Sequence, residues 1–178
     1  MFIIIPGFVI SLLTFPGVIV HEAAHQLMCR LTSTPVLGVC YFQTGNPAGY
    51  VIHDTPSSGW RHFLISVAPF LINTIAGFLI ALPVGLTIAS NSTPGPLDFL
   101  LGWLGLSVTM HAFPSTGDAS SLWHALRAPS SSWLLRIVGF PVVGVIYLGA
   151  VLSVFWFDAI YGVAICFAVP AAIVAALA

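Results

Sequence analysis

Five apolar runs, separated by short polar breaks, set the terms on which this chain can fold: Phe2–Leu31, Trp60–Ala89, Leu97–Ala112, Trp133–Phe157 and Ala159–Ala178. A helix of about 20 apolar residues is long enough to cross the hydrocarbon core of a bilayer, and only the third run falls clearly short of that. The chain is 58% hydrophobic and 5% charged, whereas a soluble domain carries roughly a quarter of its residues as charges. These runs predict an all-α membrane protein of about five transmembrane helices, with residues 1–178 forming a single integral membrane domain. A net charge of -1 gives no basic footprint for nucleic acid. Cys29, Cys40 and Cys166 have no paired spacing and read as small buried hydrophobes. The opening residues carry no positive segment and run straight into the first apolar stretch, so no cleaved leader is expected.

The breaks between the runs are informative. After the first run, Val36–Phe42 and Tyr50–His53 are short β-prone stretches, and the segment Gln43–Gly49 between them is rich in turn residues, which predicts a small β-hairpin. Its exposed edge would be covered or would pair with an extended peptide. Pro6-Gly7 and Pro16-Gly17 should bend the first helix. The third run ends in an irregular stretch, His111–Asp118, followed by a helical piece over Ala119–Arg127 and a loop at Pro129–Ser132. Irregular backbone at membrane depth is tolerated only where protein buries it or where it lines a cavity. The four basic residues, Arg30, Arg61, Arg127 and Arg136, flank two connections that fall on one side of a five-span chain. The positive-inside rule makes that side cytoplasmic, with the N-terminus outside and Asp98 and Asp158 on the opposite face.

Within the first run stands His21-Glu22-Ala23-Ala24-His25. Positions i and i+4 share a helix face, so both imidazoles can grip one metal ion, and Glu22 is placed to take a proton from water activated there. Ionisable groups in an apolar helix mark a functional site by default. A plain alternative is a polar cluster that glues helices together.

A catalytic zinc usually has three protein ligands. Glu22 is the sole glutamate, so no downstream glutamate can complete the set. Met28 and Leu31 occupy the places where an extended histidine motif needs glycine and histidine. The third ligand is therefore sought among His53, Asp54, His62, His111, Asp118 and His124. Asp118, after a Pro/Gly break, is the choice, although the same position suits a helix N-cap. His111 is the second choice, or a hydrogen-bond donor to the transition state, or a polar residue packed between helices. His53, His62 and His124 read as interfacial residues. Asn73, an amide inside an apolar span, needs a partner and either bonds another helix or reaches the site.

In these residues the chain resembles the site-2-protease-like intramembrane zinc metalloproteases. His21, Glu22 and His25 match that family's motif outright. Asp118 looks like its aspartate ligand, in Pro114-Ser-Thr-Gly-Asp118 in place of the usual Asp-Gly setting. Pro69 and Asn73 resemble its Gly-Pro-x-x-Asn element, with Ala68 for the glycine and one residue more in the spacing. The resemblance covers residues 1–127 as a three-helix catalytic core with a hairpin and leaves 128–178 as two additional transmembrane helices. It implies one zinc ion on His21, His25 and Asp118, Glu22 as general base, and Asn73 or His111 near the oxyanion. It also implies a membrane-protein substrate, cut in or beside a transmembrane helix within the lipid bilayer. The rival readings are a metal-binding membrane protein without proteolytic activity and a membrane metal hydrolase acting on a small amphiphile.

Overall fold

The computed structural model describes residues 7–177. Phe2 and Pro6, where the first span is expected to begin, lie outside them, as does Ala178. The first apolar run forms two helices, α1 (Gly7–Leu13) and α2 (Phe15–Leu31), bent by 88°. Pro16 has no N–H to give and suits the first turn of α2, while the Thr14 hydroxyl turns back to the Ile10 carbonyl at 2.7 Å and closes α1. Depth along the first span therefore cannot be counted from Phe2 as if the helix were continuous. His21 is the seventh residue of α2, about 9 Å from its start.

The expected hairpin forms. β1 (Val36–Cys40) and β2 (Tyr50–His53) pair antiparallel, with Val39 opposite Val51 and an irregularity between Val36 and Gly38. The turn closes through Gln43 N–H to the Ala48 carbonyl at 2.7 Å. The hairpin lies against α2, where the Tyr41 hydroxyl donates to Gln26 Oε1.

Helix α3 (Gly59–Ala89) is the longest element, about 46 Å for 31 residues. Leu71, Ile75 and Leu79 repeat every fourth residue on its outer side and are 55–58% exposed. A stripe of that kind suits hydrocarbon and not water. Helix α4 (Pro96–Met110) packs antiparallel to α3 through small residues. A Cβ on Gly77 would lie 2.7 Å from the Gly105 carbonyl, and one on Gly105 would lie 2.6 Å from Ala81 Cβ. After an irregular stretch at 111–115, α5 (Thr116–Arg127) continues in the direction of α4. It starts three residues before the expected Ala119, because Ser115 and Asp118 form a capping box. Together α4 and α5 measure about 22 Å and 18 Å, close to the length of α3. They read as one traverse broken in its interior.

Helix α6 (Trp133–Ser153) packs along α5 around Leu122, Leu126, Leu135, Val143 and Ile146. It stops four residues before the expected Phe157, at a tight turn whose Trp156 has φ 64°. Helix α7 (Phe157–Leu177) includes a π-helical stretch, Ala164–Ala168, before Pro170. Tyr161 packs on Phe70 and Thr74, and Pro170 on Gly85, so α7 runs in the same direction as α3. Leu135 meets Gly59 and Gly149 meets Phe113, which gives α6 that direction as well. Consecutive spans of an alternating bundle would point in opposite directions. Three helices, α3, α6 and α7, are long and apolar enough to cross a membrane, or four counting the bent α1–α2 pair as one span. The ends of α2 and α5 and the starts of α3 and α6 gather at one end of the molecule, so all four arginines lie there.

Candidate metal centre

The second and third turns of α2 put His21 and His25 on one face, with ring centroids 4.9 Å apart. Each ring is oriented by a backbone carbonyl. His21 Nδ1 donates to the His111 carbonyl at 2.7 Å, and His25 Nδ1 donates to the Ile65 carbonyl at 2.9 Å. With both Nδ1 atoms engaged, both Nε2 lone pairs are left for a metal, the arrangement that outer hydrogen bonds impose on ligating histidines.

Both carbonyls are available for a local reason. In an α-helix the Ile65 carbonyl would accept from the N–H of residue 69, but residue 69 is proline. The His111 carbonyl lies just past the end of α4, among the helix-terminal carbonyls that no N–H within α4 reaches. A helix-interior proline and a helix end thus supply the two acceptors.

Asp118 completes the group. Its Oδ2 accepts from Ser115 N–H at 2.8 Å and from the Ser115 hydroxyl at 2.6 Å, which fixes the carboxylate at the first turn of α5. Its Oδ1 faces His25 Nε2 at 3.4 Å. The N-cap of α5 is Ser115, and Asp118, the third residue of the helix, closes the capping box. Ligand atoms of His21, His25 and Asp118 all lie within 4.8 Å of one another. Bonds of 2.0–2.1 Å in tetrahedral geometry hold ligand atoms about 3.4 Å apart, so the His25–Asp118 pair is already at the spacing of zinc ligands. Two imidazole nitrogens and one carboxylate oxygen make a donor set that suits zinc.

Glu22 is 8% exposed and lines the same cavity as the three ligands. That cavity, about 760 Å³, runs from the hairpin turn past the metal ligands to the α6–α7 connection. The hairpin approaches Glu22 very closely: a Cβ on Gly49 would lie 2.7 Å from Glu22 Cγ. Only glycine fits there without moving the carboxylate.

The other candidates are placed as follows. Asn73 is fully buried and donates through Nδ2 to the carbonyls of Gly17, Val108 and His111 at 3.1–3.2 Å. Its amide ties α2 and the end of α4 to α3 and does not line the cavity, whereas an oxyanion contact would require that. The His111 ring lines the cavity, and its Nε2 bonds the Thr14 hydroxyl at 2.8 Å. It is not among the grouped metal ligands. His53 and His62 pack together near the mouth, and His62 bonds Ser121 at 2.8 Å. His124 lies in the last turn of α5, away from the grouped ligands. Asp158, expected on the opposite face, lines this cavity instead, because α7 starts beside Phe113 in the interior of the fold. Sequence reasoning missed this residue by relying on alternating spans. It also missed Gly49, for which the turn-rich segment around it gives no hint of contact with Glu22.

No curated protein and no solved structure matches the chain. A family model described as "Putative zincin peptidase" matches residues 14–133, about two thirds of the chain, from the bend before α2 to the start of α6. That span contains every residue of the metal centre and Glu22. The family implies zinc and a metallopeptidase kind of chemistry, in agreement with the donor set. The chain belongs to this family of zincin peptidases.

Proposed function

We propose that this protein is a zinc-dependent intramembrane endopeptidase of the site-2-protease-like kind, hydrolysing a peptide bond in or near a transmembrane segment. The observation that carries the reading is the meeting of Glu22 with the His21, His25 and Asp118 ligand atoms in one cavity, inside helices apolar enough for a bilayer.

His21, His25 and Asp118 would hold the ion, which supplies Lewis acidity and lowers the pKa of a water bound to it. Glu22 accepts the proton of the attacking water and then delivers it to the leaving amine. The His111 ring lines the cavity in which the reacting carbonyl would lie. Strand β2 has one unpaired edge in this two-stranded sheet, and Tyr50, Val51 and His53 line the cavity. A substrate helix hides its amides, so it unwinds before cleavage, and the β2 edge supports an extended peptide beside Glu22. The end bearing the four arginines faces the cytoplasm by the positive-inside rule, which places the hairpin mouth of the cavity on that side.

The test uses purified full-length protein in lipid nanodiscs, loaded with zinc and offered fluorescence-quenched membrane peptides and, separately, phospholipids. Peptide cleavage should stop on chelation and return with zinc. Glu22→Gln should lose at least about a hundredfold in kcat, the usual scale of a lost general base, while zinc content stays at one per chain. Cleavage by Glu22→Gln at the wild-type rate would overturn the mechanism. Turnover of lipid without peptide cleavage would move the assignment to a hydrolase of small amphiphiles.

A further inference from the structure

Asp158 stands in the first turn of α7, beyond the 14–133 stretch that carries the family match. It forms part of the wall of the cavity that holds His21, Glu22 and His25. Phe113, two residues past the carbonyl that orients His21, packs on Phe157 with ring centroids 5.3 Å apart, which brings the start of α7 to the site. The carboxylate is poorly served by the protein itself. Its Oδ1 is buried without a hydrogen-bond partner, and the one hydroxyl within reach of the carboxylate, that of Ser153, is shared with the Gly149 carbonyl, to which it donates at 2.9 Å. Among the described residues, the one contact within 4.0 Å between a carboxylate and a basic side chain is His25–Asp118. All four arginines sit at the far end of the helices. Met110, Phe113 and Ala150, which share the wall, are apolar. The start of a helix favours an acidic residue, but that preference leaves Oδ1 unbonded.

An acid in such surroundings is costly unless something pairs with it. The cavity is open to a ligand, and among the described residues no basic side chain lies within 4.0 Å of Asp158. We propose that Asp158 is a specificity-determining subsite that takes a basic side chain, lysine or arginine, of the peptide substrate at a position removed from the scissile bond. This rests on the peptidase reading above and narrows its substrate class. The metal centre and the base come from the segment shared with the family, whereas this subsite comes from the helices outside it.

The experiment compares zinc-loaded full-length protein and its variants in nanodiscs on quenched peptides that differ at one residue. Lysine, norleucine or glutamate is placed in turn at each position flanking the cut. At one position the wild type should prefer lysine to norleucine by about tenfold in kcat/KM, the scale of one desolvated charge pair. In Asp158→Asn that ratio should fall to near one, and in Asp158→Lys glutamate should become the preferred residue. Asp158→Glu should retain the lysine preference, and zinc content reports folding of each variant. Cleavage by the wild type with no lysine preference at any position overturns the subsite and leaves the peptidase reading intact. A preference that survives in Asp158→Asn does the same. Failure of the wild type to cleave any peptide overturns the peptidase reading, and the subsite falls with it.

Discussion

At Ile65, α3 gives up one of its own hydrogen bonds. Pro69 has no N–H to return to that carbonyl, and His25 Nδ1 uses it instead at 2.9 Å. Restoring the N–H should therefore move two quantities in opposite directions. Pro69→Ala repairs the helix, where an interior proline costs about 3 kcal/mol relative to alanine, so the metal-free protein should melt higher. The repaired N–H competes for Ile65, so zinc affinity should fall by about tenfold, as it does when an outer partner of a ligating histidine is disturbed. Thermal unfolding without metal and a competitive zinc titration measure the two; a rise in both would sever Pro69 from the site. His21, Glu22 and His25 were legible in the sequence because their spacing is local. The link from Pro69 to His25 was not, since the two lie 44 positions apart and nothing but the packing of α2 on α3 joins them.

The break between α4 and α5 works as an element with two tasks. Pro114 and the end of α4 interrupt the traverse, and the Ser115–Asp118 capping box starts it again. The same carboxylate anchors the helix with one oxygen and turns the other toward His25 in the candidate metal centre. In the sequence, N-cap and ligand stood as competing readings of Asp118. The structure gives the cap to Ser115 and groups Asp118 with His21 and His25, so the capping bond and a place among the candidate ligands are compatible. Ser115→Ala should destabilise α5 by about 1 kcal/mol, as lost N-caps do. It should also weaken zinc binding by up to about tenfold, because Asp118 loses the hydroxyl bond and keeps only the Ser115 N–H to aim it. Zinc titration of the variant checks this, and unchanged affinity would mean that the cap does not position the ligand. The hairpin and the long α3 were readable from turn residues and length. The 88° bend at Thr14 was readable only as a weakness at Pro16, because the angle depends on what α1 packs against.

Across the whole molecule, the candidate ligands come from remote segments. His21 and His25 belong to α2, Asp118 to α5, and their orienting carbonyls to α3 and the end of α4. Zinc should therefore stabilise the fold and not only the site. At free zinc a thousandfold above Kd, linkage gives about 4 kcal/mol, and chelation should lower Tm by several degrees in a detergent thermal-shift assay. An unchanged Tm would mean that the ion bridges nothing structural. The membrane class and the number of apolar runs followed from composition. The directions of α6 and α7 did not, because hydropathy carries no sign, and it was this that hid Asp158. Three interruptions, at Thr14, at Pro69 and over 111–115, gather around the same cavity. Each leaves backbone groups that a continuous helix would have paired internally, and lipid cannot solvate them. Here side chains take them up: His25 bonds the Ile65 carbonyl, and His21 and Asn73 bond that of His111, so the breaks in the helices are what hold the imidazoles in place. Repairing the helices one by one would then yield a sturdier protein whose histidines are less firmly aimed.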